Sequence, residues 1–210
     1  MSDVLDQSEI DALLSAVDGG GLDPDLTTWG KGIANGFSVS ALAGKREHLE
    51  LGGLTTDRER VFLLSLTHGG ETHGLAAAIA TMSECRERDI PTRLAAAGRR
   101  LAAGIDQAAR DAGVSDCFHT AGHPSNLIYV TKDAAGERSQ AFRTLFLQET
   151  VKRGLIAPNL VVSAAHTDAE IDRTVELIAG VLPTYRRALE DGVETVLEGR
   201  PVKPVFRRFN

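Results

Sequence analysis

Lys31 is the residue whose setting in the sequence best suits covalent chemistry. It stands between Gly30 and Gly32, after a turn-rich loop and before Asn35-Gly36. Glycines let a backbone approach a ligand closely, and a lysine in a dry, enclosed site can lose its proton and attack an aldehyde. Composition alone favours the alternative of a solvated loop lysine, so the choice depends on the surrounding residues.

A second candidate site precedes an alanine-rich segment. Thr67-His68-Gly69-Gly70-Glu71-Thr72 places hydroxyls and glycines before residues 75–88, which are predicted to be helical. This arrangement suits an anion, because the N-terminus of a helix is electropositive. An ordinary helix cap with a turn explains the same residues, and these residues alone favour that alternative.

Spacing argues against several other kinds of site. A Walker phosphate loop requires glycine at position 25 and serine or threonine at position 32, where the chain has Asp25 and Gly32. His68 and His73 are five residues apart, which is not the zinc-protease spacing, so no metal site is predicted. Neither a GxSxG elbow nor a dinucleotide-binding GxGxxG after a strand is present.

The composition is that of a folded globular protein, with 210 residues of which 42% are apolar and 25% charged. No apolar run approaches the roughly 18 residues of a membrane span, and no basic leader resembles a signal peptide. The isolated Cys85 and Cys117 suit a cytoplasmic location. Residues 1–30 contain seven acids and no lysine or arginine, so the rest is nearly neutral and gives no support to nucleic-acid binding.

The acidic N-terminus contains one short amphipathic segment, predicted to be a helix over residues 8–17. Apolar residues recur in it at the spacing i, i+3, i+4 and i+7, at Ile10, Leu13, Leu14 and Val17. A helix of about ten residues is marginal alone in water, so it requires a surface in this protein or in another. Gly19-Gly20-Gly21 then predicts a boundary, which separates an acidic leader over 1–20 from the body.

The body alternates predicted strands and helices, which indicates an α/β fold. Strands are predicted at 37–43, 61–64, 126–131 and 159–163, and helices at 75–88, 92–112, 137–153 and from Thr167 onward. Residues 126–163 therefore form a βαβ-like region. Thr167 with Glu170 at the third helical position predicts a capping box, and the last twenty residues are predicted to form a surface arm.

A longer segment around Lys31 resembles a known family. Residues 24–37, PDLTTWGKGIANGF, are similar to the cofactor-lysine segment of class III aminotransferases, and within that class to the glutamate-1-semialdehyde aminomutase branch. The similarity continues in three further segments: residues 40–47, the predicted helix that starts at Leu75, and residues 162–172. It runs from about 21 to 210.

The resemblance implies a fold-type-I enzyme that uses pyridoxal 5'-phosphate (PLP). Residues 21–90 would be the end of its large cofactor-binding domain, and residues 91–210 its small C-terminal domain. Lys31 would bind PLP covalently and then move a proton between carbon atoms, while the cofactor accepts electrons. Thr67 would hydrogen-bond the cofactor phosphate in the site of a partner subunit, so a homodimer is expected. The substrates would be an amino donor and a carbonyl acceptor.

The chain also departs from the family that it resembles. A full member is roughly twice as long, and its first half carries the phosphate loop, the aromatic residue that stacks on the cofactor, and the aspartate that pairs with the pyridine nitrogen. Residues 1–20 contain no counterpart of that aspartate, and Asp23 and Asp25 lie too close to Lys31 to replace it. We therefore expect a truncated chain that is incomplete as an enzyme by itself.

Residues 4–14 have a separate resemblance. VLDQSEIDALL is similar to the N-terminus of flagellar motor switch proteins, a peptide that in that family binds the phosphorylated chemotaxis response regulator. Asp6 stands where that family has serine or threonine. Three hypotheses follow: part of a class III aminotransferase, a response-regulator-binding peptide on an inactive body, and a fused remnant with neither activity.

Overall fold

The structure is a computed structural model that describes residues 24–53, 55–60 and 70–203. The chain divides into two compact units, Met1–Ile90 and Pro91–Asn210, which we call unit 1 and unit 2. The predicted leader helix at 8–17 and the predicted strand at 61–64 lie outside the described residues.

Unit 1 contains an antiparallel pair of short strands. Strand β1, Leu26–Trp29, pairs with β2, Ala41–Gly44, in a register that places Leu26 opposite Gly44. The strand predicted at 37–43 thus begins later, because the chain is still turning at Phe37, whose backbone N–H donates to the Ala34 carbonyl. Helices α1, Arg46–Leu49, and α2, Thr72–Glu87, follow; α2 confirms the helix predicted at 75–88.

Unit 2 alternates helices with a short hairpin. Its elements are α3, Ile90–Asp111, β3, Phe118–Ala121, β4, Ile128–Thr131, α4, Gln140–Lys152, α5, Asp168–Ala179, and α6, Leu182–Asp191. The helices predicted at 92–112 and 137–153 are confirmed as α3 and α4.

The predicted βαβ-like region is wrong in its connectivity. β4 pairs with β3 as an antiparallel hairpin, with Phe118 opposite Thr131. Residues 159–163 form no strand, and only Leu160 makes an isolated bridge, to Leu127. The apolar run Leu160-Val161-Val162 serves the core without a strand: Leu160 and Val162 are buried while Val161 between them is exposed.

An aromatic cluster forms the centre of unit 2. Phe146 lies between Phe118 and Tyr129, with ring centroids 5.0 and 4.5 Å away, and the Phe118 ring meets Tyr185 at 5.6 Å. The Tyr185 hydroxyl donates to the Lys132 carbonyl at 2.7 Å and accepts from the Lys132 N–H at 3.0 Å. Burial raises the pKa of Tyr185, which keeps this hydroxyl protonated. Its two hydrogen bonds join α6 to the end of the hairpin.

The N-terminus of α5 confirms the predicted capping box. The Glu170 N–H donates to the Thr167 hydroxyl at 3.4 Å, and the Thr167 N–H donates to the Glu170 carboxylate at 2.7 Å. Ile171 and Ile178 are buried on the inner face of α5, as its apolar spacing predicts. Among the described residues, no helix is long and apolar enough to cross a membrane.

Candidate active site

Lys31 follows β1 directly and begins a short 3₁₀ turn, Lys31–Ile33. Its φ angle is +47°, in the left-handed region that residues with a side chain rarely adopt. The turn is closed by two backbone hydrogen bonds of 3.2 Å, from Ile33 N–H to the Gly30 carbonyl and from Asn35 N–H to the Lys31 carbonyl. A non-glycine residue in such a conformation costs on the order of 1–3 kcal/mol, and strain of this kind concentrates at functional sites.

The two glycines beside Lys31 leave space around it. A Cβ atom placed on Gly32 would meet nothing within 4 Å, and one on Gly30 would come only within 4.0 Å of the Val39 carbonyl oxygen. Packing among the described residues of unit 1 therefore does not require glycine at either position. The open space is what a ligand approaching the lysine would need.

The amine of Lys31 is exposed and makes no hydrogen bond or ion pair with another described residue. The described residues therefore do not provide the dry enclosure that a nucleophilic lysine requires. Lys45 differs, because its amine lies 2.8 Å from the Asp25 carboxylate. The hydrogen bond and the charge of Lys45 lower the pKa of Asp25, so this carboxylate is committed to a structural ion pair.

The segment after Lys31 packs against the start of α2. A Cβ on Gly74 would lie 2.8 Å from the Val39 side chain, and the Phe37 ring lies 5.9 Å from the His73 ring. Only glycine at position 74 allows this approach. Thr67 lies outside the described residues, so its part in a phosphate site stays a prediction; it precedes the first residue of α2, Thr72, by five positions.

Two further sequence expectations concern metal binding and a partner protein. Within the described ranges, no group of three or more histidine, cysteine or acidic residues could hold a metal ion. Residues 4–14 lie outside the described residues, so binding of a response regulator stays a prediction. The Asp25–Lys45 ion pair was missed, because only the register of β1 and β2 brings two residues twenty positions apart into contact.

No protein-family model matches the chain, but individual proteins do. It is 34% identical over 170 residues to a glutamate-1-semialdehyde 2,1-aminomutase of Desulfosudis oleivorans, which covers 76% of this chain and 39% of that protein. It is 33% identical over 175 residues to a 3-aminobutyryl-CoA aminotransferase of Cloacimonas acidaminovorans, covering 80% of this chain and 40% of that protein.

Solved structures show the same fold. The FumI protein of Sphingopyxis sp. MTA144, in a PLP internal aldimine form, matches with a TM-score of 0.67 and 25% identity over 83% of this chain and 40% of that one. A β-phenylalanine aminotransferase of Variovorax paradoxus matches with a TM-score of 0.70 and 22% identity, over 81% of this chain and 41% of that one. The second likeness shows the fold alone.

The predicted fold class is thereby confirmed as part of the α/β fold of type I PLP-dependent transaminases. The chain spans about two-fifths of the length of the curated relatives that it matches. It is therefore a homologue of part of the class III PLP-dependent aminotransferases, the family that includes the glutamate-1-semialdehyde aminomutases.

Proposed function

We propose that this chain supplies the cofactor lysine of a PLP-dependent class III aminotransferase or aminomutase, and that this lysine is Lys31. One observation carries the proposal: within the segment that resembles the family's cofactor-lysine segment, Lys31 stands in a strained left-handed turn between two glycines that leave space beside it. The similarity to an aminomutase and an aminotransferase supports the same reaction class.

When bound, PLP supplies the electron sink on which amino-group transfer depends. The protein contributes a primary amine at the Nζ atom of Lys31, which bonds to an aldehyde carbon only in its unprotonated form. As a free amine, the same Nζ would accept a proton from one carbon atom of the substrate and deliver it to another carbon atom. Gly30 and Gly32 leave space beside the lysine that a bound cofactor would need.

The remaining parts of the proposal follow from the resemblance. Thr67 donates its hydroxyl to the cofactor phosphate, close to the electropositive N-terminus of α2. It serves the site of a second subunit, so the protein acts as a homodimer in the cytoplasm on an amino donor and a carbonyl acceptor. Unit 1 corresponds to the end of the large domain and unit 2 to the small C-terminal domain.

The lysine assignment is tested by trapping. The chain is mixed with PLP and reduced with borohydride, and the modified peptides are mapped by mass spectrometry. We expect the pyridoxyl group mainly on Lys31, and we expect it to be lost in Lys31→Ala but retained in Lys45→Ala, whose amine is already paired with Asp25. Labelling spread evenly over the lysines, or unchanged in Lys31→Ala, would contradict the assignment.

The phosphate assignment is tested by titration. Thr67→Ala should require several-fold more PLP for half-maximal labelling, with Lys31 still the modified residue, because the phosphate loses one donor. The matched control is Thr72→Ala, which removes a hydroxyl at the first position of α2. Equal effects of both substitutions would assign no particular role to Thr67.

A further inference from the structure

Helix α2 carries an apolar stripe that nothing in the described part of the chain covers. Leu75, Ile79 and Met82 are 48%, 64% and 50% exposed and recur at i, i+4 and i+7 on one face of the helix. Gly74 and Ala78 are buried on another face of the helix. The stripe, Leu75–Ile79–Met82, therefore lies beside the packed face of α2 and not within it.

The stripe ends in a positive charge. Arg86 follows Met82 by four positions, so it continues the same face. It is exposed and forms no ion pair with a described residue, whereas Arg88 is bonded to Glu84. A partner for this surface would therefore combine apolar side chains at helical spacing with acidic groups.

We propose that the partner is the leader of the same chain, and that residues 8–17 pack as a helix on the α2 stripe. The leader carries the matching apolar pattern, at Ile10, Leu13, Leu14 and Val17. It belongs to a stretch of thirty residues with seven acids and no lysine or arginine, which complements Arg86. A helix of about ten residues needs such a surface in order to form.

The connection between the two elements is short and rich in glycine. Residues 18–23, three of them glycines, join the leader to Pro24, and six extended residues span up to about 20 Å. From there β1 covers about 13 Å, since a strand rises about 3.3 Å per residue. The segment after β1 then reaches α2 through the contact of Val39 with Gly74.

A second copy of the chain is the competing occupant. A short flexible tether holds its ends at an effective concentration in the millimolar range. The leader on its own chain therefore occupies the stripe before another molecule does at micromolar protein concentration.

Disulfide trapping in the full chain tests this pairing. In a Cys85→Ser, Cys117→Ser background, Leu14→Cys is combined with Ile79→Cys on the stripe. The matched control combines Leu14→Cys with Glu84→Cys, on a different face of α2. We expect an intramolecular disulfide in the first pair, its loss in the control, and its loss again when Leu13→Asp disrupts the apolar face of the leader.

The other outcomes overturn the proposal. Disulfide-linked dimers without an intramolecular product would mean that a second copy covers the stripe. Equal cross-linking in both pairs would indicate random collision, and no cross-linking would place the leader elsewhere. Hydrogen exchange of residues 75–86 serves as a measurement without cysteines: their protection should fall in Leu13→Asp while circular dichroism stays unchanged apart from the leader.

Discussion

The two units of this chain divide stability and chemistry between them. Unit 2 buries a continuous core that extends from Leu101 to Ala188 and includes five aromatic rings. In the described part of unit 1, the only buried apolar side chains are Ala34, Ala78 and Ile90. The lysine proposed to bind PLP belongs to the unit that buries less.

The distribution of exposed apolar side chains shows the same contrast. Seven of the eleven large apolar side chains that are exposed lie in unit 1, although unit 2 has about twice as many described residues. The seven are Leu26, Trp29, Phe37, Leu42, Leu75, Ile79 and Met82. Concentrated apolar surface marks a site of interaction. The unit that carries the lysine proposed to bind PLP thus exposes apolar surface of the kind that unit 2 buries in its core.

Separation of the units should give the largest effect. We expect residues 91–210, expressed alone, to unfold cooperatively on heating, because all nineteen residues of the buried cluster lie within this segment. Residues 1–90 alone should show no cooperative transition, since two short strands without a buried face are at best marginally stable. Calorimetry of both segments measures the difference, and a sharp transition in residues 1–90 would remove the contrast.

A matched pair of leucine truncations sharpens the contrast within the full chain. Leu145 in α4 is fully buried, so Leu145→Ala should cost about 2–5 kcal/mol of unfolding free energy. Leu42 in β2 is 43% exposed, and Leu42→Ala should change that free energy by less than about 1 kcal/mol. Urea denaturation measures both values. A comparable cost at Leu42 would mean that the hairpin of unit 1 is covered in the folded protein.

The sequence predicted the helices of unit 2 better than its strands. The 3.6-residue apolar pattern located α3 within two residues at each end, and α4 begins at Gln140 instead of 137 because the Ser139 hydroxyl accepts from the Phe142 N–H and caps it. β3 was missed, since its four residues include His119 and Thr120 and show no apolar signal. Strands are defined by their partners, which a local pattern does not contain.

At the candidate site, the sequence indicated the chemistry but not the shape. The resemblance drew attention to Lys31, and the glycines beside it suggested close approach. Neither predicted a left-handed backbone at Lys31, because that conformation depends on the two hydrogen bonds that close its turn. The packing of Gly74 against Val39 was likewise invisible, since it joins segments thirty-five positions apart.

Acid should weaken unit 2 through one buried carboxylate. Burial raises the pKa of Glu149, but hydrogen bonds from Lys152, Arg153 and Gln148 outweigh it and lower the pKa from 4.5 to about 2. A carboxyl group whose pKa is lower in the folded state stabilises that state fully at pH values above the pKa of the unfolded chain. Its contribution is therefore lost as the pH falls from 4.5 towards 2.

Glu149→Gln isolates this contribution. We expect it to lower the unfolding free energy by about 2 kcal/mol at pH 7 and to have little effect near pH 2, where about half of the native carboxyl groups are protonated. Urea denaturation at both pH values gives the comparison. A loss that is the same at pH 7 and pH 2 would assign the effect to packing instead of charge.

The smallest expected difference lies at two helix N-termini, one in each unit. In unit 2 the Thr167 side chain caps α5, whereas Glu71 at the N-terminus of α2 makes no side-chain capping bond. Thr167→Ala should therefore cost about 1 kcal/mol of unfolding free energy, and Glu71→Ala less than about 0.5 kcal/mol. Urea denaturation of the full chain measures both. Equal losses would mean that α2 depends on Glu71 as α5 depends on Thr167, which would remove this difference between the two units.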